Sequence, residues 1–183
     1  MPPTLGLANA VTTVRAALAA LVAVAIVRAP APSLAWFVVG VAVATTVLDG
    51  VDGWAARRFG EASAFGARFD MEVDAALIMA LSVLAWTWDK AGAWVLLSGL
   101  LRYGFVAAGR IWPWMARPLE PKRRRQTVCV IQIVALIASV SPVVTPPASA
   151  AVAAAALAVL VWSFAVDTRW LAARRGPERP ALH

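Results

Sequence analysis

Cysteine is nearly missing from this chain, with Cys129 alone among 183 residues. One thiol excludes an intrachain disulfide framework and any metal site built on paired cysteines. Charge is scarce as well. Only 15% of residues are Asp, Glu, Lys or Arg, while 61% are hydrophobic, a balance outside the soluble globular range. What fills the chain instead is long apolar runs. Six stretches approach the roughly 20 residues that a helix needs to cross a bilayer: 7–27, 34–56, 65–88, 91–111, 127–144 and 148–166. Connections bearing Pro or Gly separate most of them, as in Arg28 to Pro32, Phe59-Gly60, and Ser141 to Pro147. The expectation is an all-α polytopic membrane protein. It is a single domain over residues 1–183, a six-transmembrane-helix bundle with a cytosolic tail from about residue 167. The first run lacks a basic segment before it and is interrupted by Arg15, so it reads as a retained helix and not a cleaved signal.

A net charge of +7 invites a nucleic-acid reading, but the distribution points elsewhere. Most Lys and Arg residues lie near the N-terminus, around the second and fourth connections, and in the C-terminal tail. The opposite loops hold only Arg28 and Lys90, and Arg102 lies inside a span. That asymmetry places both termini in the cytoplasm of a multi-pass protein of the cell (inner) membrane. Trp36, Trp86, Trp88 and Trp94 mark one interface; Trp112, Trp114 and Trp170 mark the other. The basic excess is topology signal and attraction to anionic headgroups, with no nucleic-acid partner.

Acidic residues number only 10, and six of them (Asp49, Asp52, Glu61, Asp70, Glu72, Asp74) crowd into positions 49–74. An ionisable group at membrane depth is costly, so such a group reads as functional by default. Asp49 and Asp52 are spaced i,i+3 near the inner end of the second helix. Asp70 and Asp74 are spaced i,i+4 in the first turns of the third. Each pair shares a helical face. On antiparallel neighbours the four carboxylates can converge, where they would repel without a cation between them. Hard divalent ions, Mg²⁺ or Mn²⁺, suit an all-oxygen site, and four carboxylates suit two such ions. A purely salt-bridged cluster would have to draw on Arg15, Arg57, Arg68 and Arg102. Counted from Asp49, an EF-hand would need Gly at Trp54 and Glu at Gly60, so that reading fails.

These residues resemble a known pattern. Asp-x-x-Asp-Gly-x-x-Ala-Arg, eight residues, then Gly-x-x-x-Asp-x-x-x-Asp is the signature of the CDP-alcohol phosphotransferases, integral membrane enzymes of phospholipid synthesis. Here it reads Asp49, Asp52, Gly53, Ala56, Arg57, Gly66, Asp70 and Asp74. Upstream, Asn9, Thr12 and Arg15 are similar to an Asn-x-x-Thr-x-x-Arg entry of the first helix. The resemblance implies transfer of a substituted phosphate from a CDP-linked lipid, such as CDP-diacylglycerol, to an alcohol, with release of CMP. It implies that Asp49, Asp52, Asp70 and Asp74 hold metal and that Asp74 is the general base. Asn9, Asp52, Gly53, Ala56, Arg57, Gly66 and Asp70 would contact the CDP moiety. Members commonly form homodimers.

Arg102 sits mid-span, too far from either end to snorkel easily, and must face a polar cavity or an aspartate. Together with Arg110, Arg123, Arg124 and Arg125 it is the candidate contact for a phosphate on the acceptor, as in glycerol 3-phosphate or inositol phosphate. The competing reading of residues 122–125 is a positive-inside anchor. Family members with phosphorylated acceptors often show Gly-Lys-x-x-Thr near this place; here Arg124-Arg-Gln-Thr127 stands, without the glycine. An intramembrane cation or proton transporter is the rival class, although its acids should form a path across the membrane.

Overall fold

The structure is a computed structural model and describes residues 7–59, 64–117 and 123–174, with side chains for all of these except 7–12, 52–59 and 64–68. Among the described residues there are six α-helices and no strand. They are α1 (Leu7–Val24), α2 (Pro32–Phe59), α3 (Ala64–Thr87), α4 (Leu97–Ile111), α5 (Arg123–Val140) and α6 (Ala148–Ala173). Short 3-10 turns extend α1 (Ala25–Val27), lead into α4 (Ala93–Leu96) and follow it (Pro113–Ala116).

Local chemistry explains the breaks. Pro32 opens α2, where a missing N–H costs nothing. Pro142 follows the end of α5 and disfavours its continuation. Past the end of α3, Asp89 takes a left-handed φ of 54°. The Lys90 and Ala91 amides then both donate to the Ala85 carbonyl, at 2.9 and 3.0 Å, capping carbonyls that would otherwise be orphaned.

Packing puts α3 at the centre. It lies against α1, α4 and α5, while α5 also pairs with α6 and α1 packs along both α2 and α3. The core runs through Val22, Val38, Leu77, Leu81, Leu84, Leu136 and Val140. At the end of α3 away from the aspartates, Lys90 Nζ donates to the carbonyls of Ser141 and Val144, both at 2.9 Å, and Ser149 Oγ donates to the Lys90 carbonyl at 2.6 Å. These bonds tie the α3–α4 connection to the α5–α6 connection.

The all-α expectation holds, membrane crossing is supported for part of the bundle, and two further expectations change. Two helices among the described residues, Pro32–Val51 within α2 and the whole of α6, are long and apolar enough to cross a membrane by length and composition. Among the described residues, α5 opens with Arg123 to Arg125, and the searched part of α1 with its following turn adds a shorter apolar run, Thr13–Val27. Next, α6 continues through residue 167 to Ala173, and Asp167 is buried with 6% exposure, so no tail begins there. Finally, α2 and α3 are not a closely packed pair among the described residues; α1 lies against both.

Candidate active site

The acidic cluster is organised by a residue of α1. Arg15 is fully buried, at 0% exposure. Its Nε donates to the Thr45 carbonyl at 3.2 Å, and its Nη1 lies 2.9 Å from Asp49 Oδ1. The same Nη1 donates to Asp70 Oδ1, and Nη2 donates to Asp74 Oδ1 at 2.6 Å. One guanidinium therefore ties the α2 aspartate to both α3 aspartates. A buried guanidinium requires such partners, since an unpaired charge there would be very costly.

Helical spacing explains the convergence. Asp70 and Asp74 stand one turn apart on α3, and α1 carries Arg15 into the gap facing Asp49 on α2. One carboxylate oxygen from each of Asp49, Asp70 and Asp74 lies within 4.8 Å of the others. All three side chains are partly exposed, at 29%, 34% and 20%. Asp74 divides its oxygens: Oδ1 meets Arg15, while Oδ2 accepts from the Cys129 thiol on α5 at 3.9 Å.

The donor set fits a hard divalent ion: it is all oxygen, tightly grouped and partly solvated. Three carboxylates against one guanidinium also leave an excess of negative charge. The helical backbone carries Asn9 in α1, Asp52, Gly53, Ala56 and Arg57 in α2, and Gly66 in α3, but the side chains at those positions lie outside the described residues.

The arginines expected on the acceptor divide among different partners. Arg102 pairs with Glu72 and, among the described residues, with none of Asp49, Asp70 and Asp74; its Nε is buried without a hydrogen-bond partner among them. Glu72 is two residues from both Asp70 and Asp74, about 200° around the helix, and so faces elsewhere. Arg124 reaches α6, donating to Ser163 O and Oγ at 2.9 Å each and pairing with Asp167. Arg125 Nη1 lies 3.9 Å from Asp167 Oδ2. Arg110, in the last turn of α4, and Arg123, at the start of α5, are exposed. Arg102, Arg124 and Arg125 thus each meet a carboxylate, whereas Arg110 and Arg123 are exposed.

Sequence reasoning missed two participants. Arg15 stands in the sequence as one of four available cations and as part of a first-helix pattern, with nothing to single it out, and Asp167 falls where a tail is expected. The rule applied to the motif aspartates would have found both, because each is an ionised group inside an apolar helix.

No curated protein and no solved structure gives a significant match to the chain. A family model does, over residues 5–165, a stretch holding every carboxylate of the cluster and the arginine that joins them, and the chain accordingly belongs to the CDP-alcohol phosphatidyltransferase family.

Proposed function

We infer that this chain is a divalent-metal-dependent membrane enzyme that moves the phosphatidyl group of CDP-diacylglycerol onto an alcohol and releases CMP. Family membership makes it a transferase of phospholipid biosynthesis acting on a CDP-alcohol donor. The convergence of Asp49, Asp70 and Asp74 within 4.8 Å carries the rest of the reading. Asp49, Asp52, Asp70 and Asp74 would hold Mg²⁺ or Mn²⁺, two ions for four carboxylates. A bound divalent ion would neutralise charge on the donor diphosphate and on departing CMP.

The chain's own groups supply positioning and proton transfer. Asn9, Gly53, Ala56, Arg57 and Gly66 bind the CDP moiety together with Asp52 and Asp70. The acceptor hydroxyl oxygen attacks the lipid-bearing phosphorus, the bond to the CMP oxygen breaks, and the hydroxyl proton passes to Asp74. Its Oδ2 suits that role, since it faces α5 and is not an oxygen held by Arg15. A second anionic group on the acceptor, a phosphate, would meet the basic residues of the cytosolic side, Arg110 and Arg123 to Arg125, with Arg102 deeper.

Six membrane passages with both termini cytoplasmic complete the reading. The distribution of Lys and Arg supports it, as does an outer surface bearing Val24, Trp36, Val47, Ile111 and Trp162, each more than half exposed. A groove of about 300 Å³ between α1 and α3, lined by Ala16, Ala20, Phe69 and Val73 with Glu72 as its one charged residue, would suit the start of an acyl chain beside the cluster.

The test is release of CMP from radiolabelled CDP-diacylglycerol by purified protein, across a panel of alcohols with and without a phosphate. Release that needs both Mg²⁺ or Mn²⁺ and one of these acceptors is expected. Absence of release with every acceptor and either ion would sink the reading.

A further inference from the structure

We propose that Arg15 is a tethered counter-cation of the acidic cluster, which a divalent ion must displace, so that its charge weakens metal binding while keeping the ligands gathered. The proposal rests on reading Asp49, Asp70 and Asp74 as metal ligands.

Three observations carry it. Arg15 touches one oxygen of each of the three carboxylates, so a metal bound by this set must share those oxygens or take them over. A guanidinium and a dication at contact distance repel strongly in a partly desolvated site. Arg15 is also fixed from behind by the Thr45 carbonyl, at 3.2 Å, a backbone group in the interior of α2. The arginine is thus built into the helix packing and is not a passing surface partner.

Its service is geometric. Carboxylates within 4.8 Å of one another repel, and without a cation their side chains would turn apart. Arg15 holds them ready in a fork that reaches all three, as a planar guanidinium can and a point charge on a flexible stem cannot. The cost is competition for the same oxygens. A loosely held ion is the result, one whose residence depends on further ligands such as the phosphates of the donor.

The experiment titrates Mn²⁺ into purified full-length protein in lipid nanodiscs, reading free Mn²⁺ by its EPR signal. Arg15→Gln removes the charge and should bind Mn²⁺ at least about tenfold more tightly. Arg15→Lys keeps the charge and should remain within about threefold of wild type. A folded Arg15→Gln protein with unchanged or weaker affinity overturns the proposal. Wild-type protein that binds no Mn²⁺ would instead remove the metal reading beneath it. A second measurement covers a Gln variant that does not fold. The side-chain Nε–H signal of Arg15 in wild-type protein labelled with ¹⁵N-arginine, assigned by its loss in the Arg15→Lys spectrum, should shift on saturation with diamagnetic Mg²⁺ as its ion pairs are replaced. A signal indifferent to Mg²⁺ in protein that binds the ion overturns the proposal whatever the variants do.

Discussion

Two knots of charge hold the bundle together, and their stoichiometries are opposite. Around Arg15, one guanidinium faces three carboxylates drawn from α2 and α3. Around Asp167, one carboxylate faces two guanidinium groups from α5, Arg124 closely and Arg125 at 3.9 Å. Charges taken out of water are tolerated only with partners, and the surplus sign decides what else a site attracts. The first knot keeps a negative surplus and invites a further cation. The second draws two arginines of one helix onto a single buried carboxylate of the next, and so ties α5 to α6.

The comparison can be broken at the acidic knot first. Asp74→Asn should lower turnover by about 10²–10⁴-fold, the usual contribution of a positioned proton acceptor, while donor binding measured by equilibrium dialysis stays close to wild type. Near-normal turnover would move the base elsewhere. Arg15→Gln should cost about 2–3 kcal/mol of stability in chelator, since it leaves partly exposed carboxylates facing one another and solvent screens part of their repulsion; a thermal melt reads the loss, and Mn²⁺ should restore much of it.

The basic knot should respond more gently and in a different assay. Asp167→Asn removes the one carboxylate between two arginines and should cost about 1–3 kcal/mol. Its affinity for Mn²⁺ should match wild type, because the acidic cluster is untouched. A shift in Mn²⁺ affinity would show the two knots to be coupled. The smallest effect belongs to Glu72→Gln. Its pair with Arg102 is 55% exposed on the glutamate side, so the loss should stay within about 1 kcal/mol after solvent screening.

Much of this was readable along the chain. The six helices lie close to where apolar runs and prolines put them, and Asp70 and Asp74 share a face because they are four residues apart on one helix. What could not be read is which helices touch. Arg15 is 34 residues from Asp49 and 59 from Asp74 in sequence, and no periodicity states that α1 would lie against both α2 and α3. Arg102 shows the same limit. Its burial in an apolar span demanded a partner, but the choice of Glu72 over the motif aspartates depended on which face α3 turns toward α4. Asp167 was misplaced because charge near a chain end reads as tail, whereas α6 runs six residues further and buries it.

Sequence alone determined the helical class, the acidic spacing and the family pattern, since each is a matter of residue type and of periodicity within a single helix. Tertiary structure decided that one arginine gathers three aspartates and that Asp167 holds α5 to α6. The physical reason is range: helix periodicity acts over a few residues, whereas a buried charge takes whichever opposite charge the packing of distant helices brings within reach.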